Sequence, residues 1–121
     1  MASDVFIMSS NAITADGRLV NIDGTGNRVA ALAFGPRKVI VVAGMNKVAP
    51  DLDSSVARAR HTAAAANSLR VGADTPCSHT GFCQDPHCRP PHRICSQLVV
   101  TEAGMVPGRI LVVLVNEDLG Y

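Results

Sequence analysis

Leu19-Val20-Asn21-Ile22-Asp23-Gly24-Thr25-Gly26-Asn27-Arg28 runs on through Val29-Ala30-Ala31-Leu32-Ala33-Phe34-Gly35-Pro36 to Lys38-Val39-Ile40-Val41-Val42-Ala43. Read in order, this stretch is strand, glycine-rich turn, helix, stop and strand. Residues 19–22 are extended. Asn27 is a favourable N-cap for a helix from Arg28 to about Phe34. Gly35 suits the left-handed position after a helix, and Pro36 cannot continue one. The run from Lys38 to Ala43 is the signature of a strand buried on both faces. Strands alternating with short helices predict an α/β protein.

The flanking sequence extends that pattern. Val5-Phe6-Ile7-Met8 reads as a short strand, and two extended segments around Asp16-Gly17 predict a β-hairpin. Pro50-Asp51-Leu52-Asp53 opens a second helix, with both Asp at the positive end of its dipole. Leu52, Val56, Ala59, Ala63 and Ala66 recur at helical spacing on one face, with Arg58 and His61 off it. Arg70 and Gly72 end it. Gln97–Thr101 and Arg109–Val115 are strand candidates, the latter a buried one. The expected order is β-β-α-β-α, a Cys-rich loop, then β-β, with no internal repeat. A sheet of about five strands with only two helices leaves one face or edge bare, which favours a homodimer or a partner subunit.

Composition narrows the class. The 121 residues are 47% hydrophobic and 3% aromatic, with a net charge of +1. That excludes a disordered tail and a strongly electrostatic nucleic-acid binder. No apolar run approaches the roughly 18 residues of a membrane span. Met1-Ala2-Ser3-Asp4-Val5 has no signal-peptide pattern, so a cytoplasmic location with reduced thiols is expected.

Residues 73–95 hold all four Cys, three of the four His and four of the seven Pro. Neither a helical nor a strand period fits there, so a metal-binding loop insertion is expected. Cys77, Cys83, Cys88 and Cys95 match the ligand count of a tetrahedral zinc site or an iron–sulfur cluster. Their spacing lacks the paired Cys-x2-Cys of zinc fingers, and long unequal gaps wrap more easily around a cubane, so a [4Fe-4S] cluster is expected with Zn2+ as the alternative. Four reduced thiols or two local disulfides remain the metal-free reading. His79, His87 and His92 are alternative or outer ligands. Arg89 and Arg93 could offset the charge of thiolates, and Pro76, Pro86, Pro90 and Pro91 stiffen the loop.

The second candidate is an anion or substrate site. Asp23, Gly24, Thr25, Gly26, Asn27 and Arg28 bring a glycine-rich turn to a helix N-terminus, whose amides attract anions. The third Gly of the dinucleotide fingerprint is absent, and a purely structural turn is the commoner use of such a stretch. Ser9-Ser10-Asn11 follows a strand at its carboxyl end, where α/β sheets meet ligands. Glu117 and Asp118 follow the last strand and are candidate acid/base groups. Glu102 ends the fourth strand, and His61 is expected to be solvated.

Several of these segments together resemble the LUD domain of bacterial lactate-utilisation proteins. They are Ser10-Asn11-Ala12-Ile13-Thr14-Ala15-Asp16-Gly17, residues 19–31, Phe34-Gly35-Pro36-Arg37-Lys38-Val39-Ile40, Thr75-Pro76-Cys77 with Thr80-Gly81 and Cys83, Arg93-Ile94-Cys95, and residues 115–121. The resemblance covers almost the whole chain. It implies a Rossmann-like fold related to sugar-phosphate isomerases and coenzyme A transferases, with a mainly parallel sheet. It also implies a role in lactate or organic-acid utilisation, a small organic-acid ligand, and a place beside an oxidoreductase complex. Residues 1–121 then form a single LUD-like domain lacking the family's N-terminal helical part. The Cys83–Cys88 gap, carrying Pro86 and His87, is longer than the family pattern, which leaves the ligand set open. A non-catalytic module, zinc-stabilised or anion-binding, is the competing expectation.

Overall fold

A computed structural model describes residues 4–83, 85 and 87–120, so Pro86 of the Cys-rich loop and Tyr121 of the terminal motif lie outside the described residues. The strands are β1 (Val5–Met8), β2 (Ala12–Thr14), β3 (Leu19–Asp23), β4 (Lys38–Gly44), β5 (Val48–Ala49), β6 (Gln97–Thr101) and β7 (Ile110–Val115). The helices are α1 (Asn27–Ala33), α2 (Leu52–Ala57), α3 (Ala65–Arg70) and α4 (Pro76–Thr80). Met45–Lys47 makes one 3-10 turn, and Arg58–Ala64 joins α2 to α3 with π spacing.

The α/β class holds, but the strands form two sheets rather than one. The parallel sheet has the order β1-β4-β7, with Phe6 beside Val39 and Val41 beside Val112. The mixed sheet has the order β5-β2-β3-β6. Its centre is the expected hairpin, Ala12 opposite Val20, turned through Gly17 at φ 96°.

Every residue of β2 and β3 is buried. Ile13 and Leu19 join one core with Met8, Leu32, Val39, Val41 and Ala43. Their neighbours Ala12 and Val20 join a second core with Ile22, Ala59 and Ala64. Side chains alternate across a strand, so the hairpin is the middle layer. The parallel sheet covers one of its faces and the α2–α3 helix the other. This is why residues 12–22 lack a clean polar–apolar alternation.

The outer face of the parallel sheet has no such cover. β4 alternates buried and half-buried positions, and β7 is largely exposed, contrary to the buried strand expected there. Ile7 is 66% exposed and Leu111 47%. Apolar content marked these strands as inner ones; the missing layer is what leaves them bare.

Nothing in the sequence marks Arg109, yet it is a tie in the fold. Its guanidinium donates to Leu32 O at 2.7 Å and Ala31 O at 2.9 Å, and its Nε donates to Pro36 O at 2.9 Å. A cation is thus placed on the unpaired carbonyls at the end of α1. Arg109→Met keeps most of the stem and removes all three bonds. It is expected to cost about 2 kcal/mol, seen as a lower midpoint in urea with an unchanged m-value.

Candidate functional site

Two sites adjoin on one side of the molecule. The first is the Cys-rich loop. Thr75 caps α4: its Oγ1 accepts from Ser78 N, Ser78 Oγ accepts from Thr75 N, Pro76 occupies the first turn, and Gly81 ends the helix at φ 83°. This helix was not expected in the loop. Thr-Pro at the start and a glycine five residues on were its signal.

Cys77, Cys83, Cys88 and Cys95 all line one small cavity, together with Arg60, Thr75 and Arg93. All four are free thiols, partly buried. Burial pushes the Cys83 thiol up, and the thiols of Cys95, Cys77 and Cys88 push it further, while Arg60 opposes them. Arg93 braces the loop, with Nη1 donating to Cys88 O at 2.9 Å and Nε to Cys95 O at 2.9 Å, and Nη1 lies 3.8 Å from Cys88 Sγ. Cys77 Sγ lies 3.2 Å from Thr75 Oγ1 and 3.4 Å from Ser68 Oγ.

Among the described residues, no three His, Cys, Asp or Glu side chains converge tightly enough to hold one metal ion. A zinc ion with bonds of about 2.3 Å would draw its sulfurs nearly into contact; a cubane spreads its ligands over several irons. The histidines stand apart from the cavity. His79 Nε2 lies 2.9 Å from the Asp74 carboxylate, His92 Nδ1 donates to Asp74 O at 3.0 Å, and His87 is exposed. Arg89 lines a neighbouring hollow, and Arg60, which sequence reading passed over, faces the thiols instead.

Arg60 arrives there because of the π segment. Its wider turns advance the buried stripe from Ala63 to Ala64 and Ala65, and then Ser68, rather than to Ala66. Arg58, at the end of α2, is half-buried, contrary to its expected position off the face. Arg58 Nε donates to Asn46 O at 2.7 Å, and one of its terminal nitrogens is buried without a partner.

The second site is a broad, open cleft bordered by Asn11, Asp23, Gly24, Thr25, Asn27 and Arg28. Gly26 of the expected set does not line this cleft, and much of the polarity of the others is spent internally. Gly26, at φ 87°, rather than Asn27 caps α1. The Asp23 carboxylate accepts from Arg28 N at 3.0 Å and Val29 N at 2.9 Å, and pairs with the Arg28 guanidinium at 2.6 Å. The anion at this helix N-terminus is thus the chain's own. Arg28 also donates to Asn11 Oδ1 and Ile22 O. Gly24 is closely packed: a Cβ there would sit 3.1 Å from Ile94 O.

Three further cleft residues went unnoticed in the sequence: Lys47, Asn67 and Arg70. Ala64 and Ile94 line both the cleft and the thiol cavity, so the two sites share a wall. Glu117 and Asp118 lie exposed on the terminal segment and border neither site. His61 is exposed, and Glu102 lines a separate hollow beside Phe34.

The decisive comparison is with family models: residues 1–115 match the LUD domain. The chain belongs to the LUD domain family. No curated protein and no solved structure matches it. Among the described residues of this LUD domain, no helix is long and apolar enough to cross a membrane.

Proposed function

We propose that this LUD domain serves lactate or related organic-acid utilisation in the cytoplasm, with Cys77, Cys83, Cys88 and Cys95 holding a [4Fe-4S] cluster. The observation that carries the reading is the meeting of four thiols, spread over residues 77–95, around one cavity beside an open polar cleft. A bound cluster supplies one-electron transfer and a covalent anchor for the loop. Arg60 and Arg93 offset thiolate charge. Asn11 and the turn from Asp23 to Arg28 border the place for a small anionic substrate. With Ala64 and Ile94 as the shared wall, a ligand in the cleft would lie about one side chain from the thiols.

Anaerobic purification followed by iron, sulfide and visible-absorption analysis tests the cluster. About four irons and four sulfides per chain are expected, with the colour lost in Cys88→Ser. Colourless, iron-free protein whose thiols all titrate overturns it.

A second reading is a non-catalytic module, zinc-stabilised or anion-binding, acting as a subunit or regulatory partner. It draws support from Glu117 and Asp118, which leave the cleft without its expected acid/base pair. Stoichiometric zinc without iron would favour it. Under either reading the bare outer face of the parallel sheet, with Ile7, Leu111 and Val113 exposed, is the surface for a twin copy or an oxidoreductase subunit.

A further inference from the structure

We propose that the Lys47 amine anchors an oxyanion in the cleft, taking the carboxylate or phosphate of a small ligand. This deepens the anion-binding half of the reading above, does not depend on a cluster, and moves the anchor from the glycine turn to a residue outside it.

Lys47 ends the 3-10 turn after β4, and only 5% of it is exposed, yet it lines the cleft. Its ammonium has no hydrogen bond or ion pair among the described residues. The chain's terminal segment crosses it: Leu119 N donates to Asn46 Oδ1 at 3.0 Å, and a Cβ on Gly120 would lie 3.6 Å from Nζ.

The charged groups around it are mostly cations. Arg28 from α1 and Arg58 from the π segment both act on Lys47, and Arg70 borders the same cleft. Asp23 is engaged by Arg28, and Glu117 and Asp118 of the crossing segment make no ion pair with Lys47. Among the described residues, this largely buried cation stands beside other cations with no carboxylate paired to it, the setting in which burial favours an added counter-charge. Burial first, then Arg58 and Arg28, lowers its pKa to about 8. At pH 7 it therefore still carries a proton, and an arriving oxyanion supplies the missing counter-charge.

The chain has two lysines, Lys38 and Lys47, so carbon-13 reductive methylation of the full chain gives two lysine NMR signals beside that of the N-terminal amine, and the Lys47 signal is assigned by its absence from Lys47→Arg. Lys38, which donates to Gly108 O on the far side of the sheet, is the internal reference. The Lys47 signal is expected to titrate near pH 8 and to move to higher pH with acetate, lactate or inorganic phosphate. Because the anion prefers the protonated amine, affinity should fall about tenfold between pH 7 and pH 9. Lys47→Met should lose at least about tenfold in affinity, and Lys47→Arg should retain most of it. His61→Gln, away from the cleft, should bind normally.

If phosphate moves the signal and lactate does not, the anchor stands and the organic-acid reading fails. If none of the three anions moves it, the anchor itself is wrong. Lys47→Met binding as tightly as the natural chain overturns the anchor equally. Should Lys47→Met not fold, the titration of the natural chain still decides.

Discussion

Asp23→Ala is expected to destabilise the chain by about 3–5 kcal/mol, the cost of stripping one partner from a buried ion pair. The carboxylate is 4% exposed and takes two backbone amides as well as the Arg28 guanidinium. Its removal leaves Arg28 N and Val29 N without acceptors, and frees a half-buried arginine inside the cleft. At roughly 4 °C per kcal/mol, Tm should drop by more than about 10 °C. Asp23→Asn keeps the shape but trades an acceptor oxygen for a donor, so it should recover only part of the loss. Differential scanning calorimetry of the three proteins checks the order. A small effect of Asp23→Ala would mean that water replaces the carboxylate at α1. The released Arg28 then becomes free to bind anions, and phosphate should stabilise Asp23→Ala more than the natural chain.

Gly44→Ala is the other severe change. Backbone conformation is not the obstacle, because Gly44 sits at φ −72°. Space is: a Cβ would stand 2.5 Å from Asn46 Oδ1 and Glu117 O, and 2.6 Å from Leu119 N. Two of these three atoms are backbone, so no side-chain rotation relieves them. The terminal segment must lift away, breaking Met45 N to Glu117 O and Leu119 N to Asn46 Oδ1. A cost of about 3 kcal/mol is expected, with faster hydrogen exchange at Met45 and Leu119. The same lift would admit water to Lys47. Since burial is the leading cause of its lowered pKa, Gly44→Ala should return that amine toward 10.5, its ordinary value. Unchanged exchange at Leu119 would show that the segment bends around the methyl instead.

Both predictions depend on contacts between distant parts of the chain. Asp23 was legible as a residue of the glycine-rich turn, because turn chemistry is local. Its occupation of the amides it was expected to offer to a ligand was not, since that depends on a side chain folding back across six residues. Lys47 gave no signal at all. It stands in the ordinary-looking segment Met45-Asn46-Lys47, while the charges acting on it come from α1 and the π segment and Gly120 of the terminal segment passes its amine. The placing of Arg60 at the thiols is non-local for a related reason. Its position follows from the π spacing of residues 58–64, and a period of 3.6 cannot foresee that change.

Reading along the chain was enough for the α/β class, most strand positions, the hairpin at Asp16-Gly17 and the family. Those follow from local patterns: β-branched runs, turn residues and short motifs. The same reading supplied four thiols close enough in sequence to meet. Packing in three dimensions was needed to divide the strands into two sheets with the hairpin buried between layers. It was also needed to give the thiols and the cleft a common wall, and to turn an unpaired lysine toward that cleft. These features depend on which faces meet across long sequence separations. Alternating apolar residues tell a strand to bury, but not what buries it.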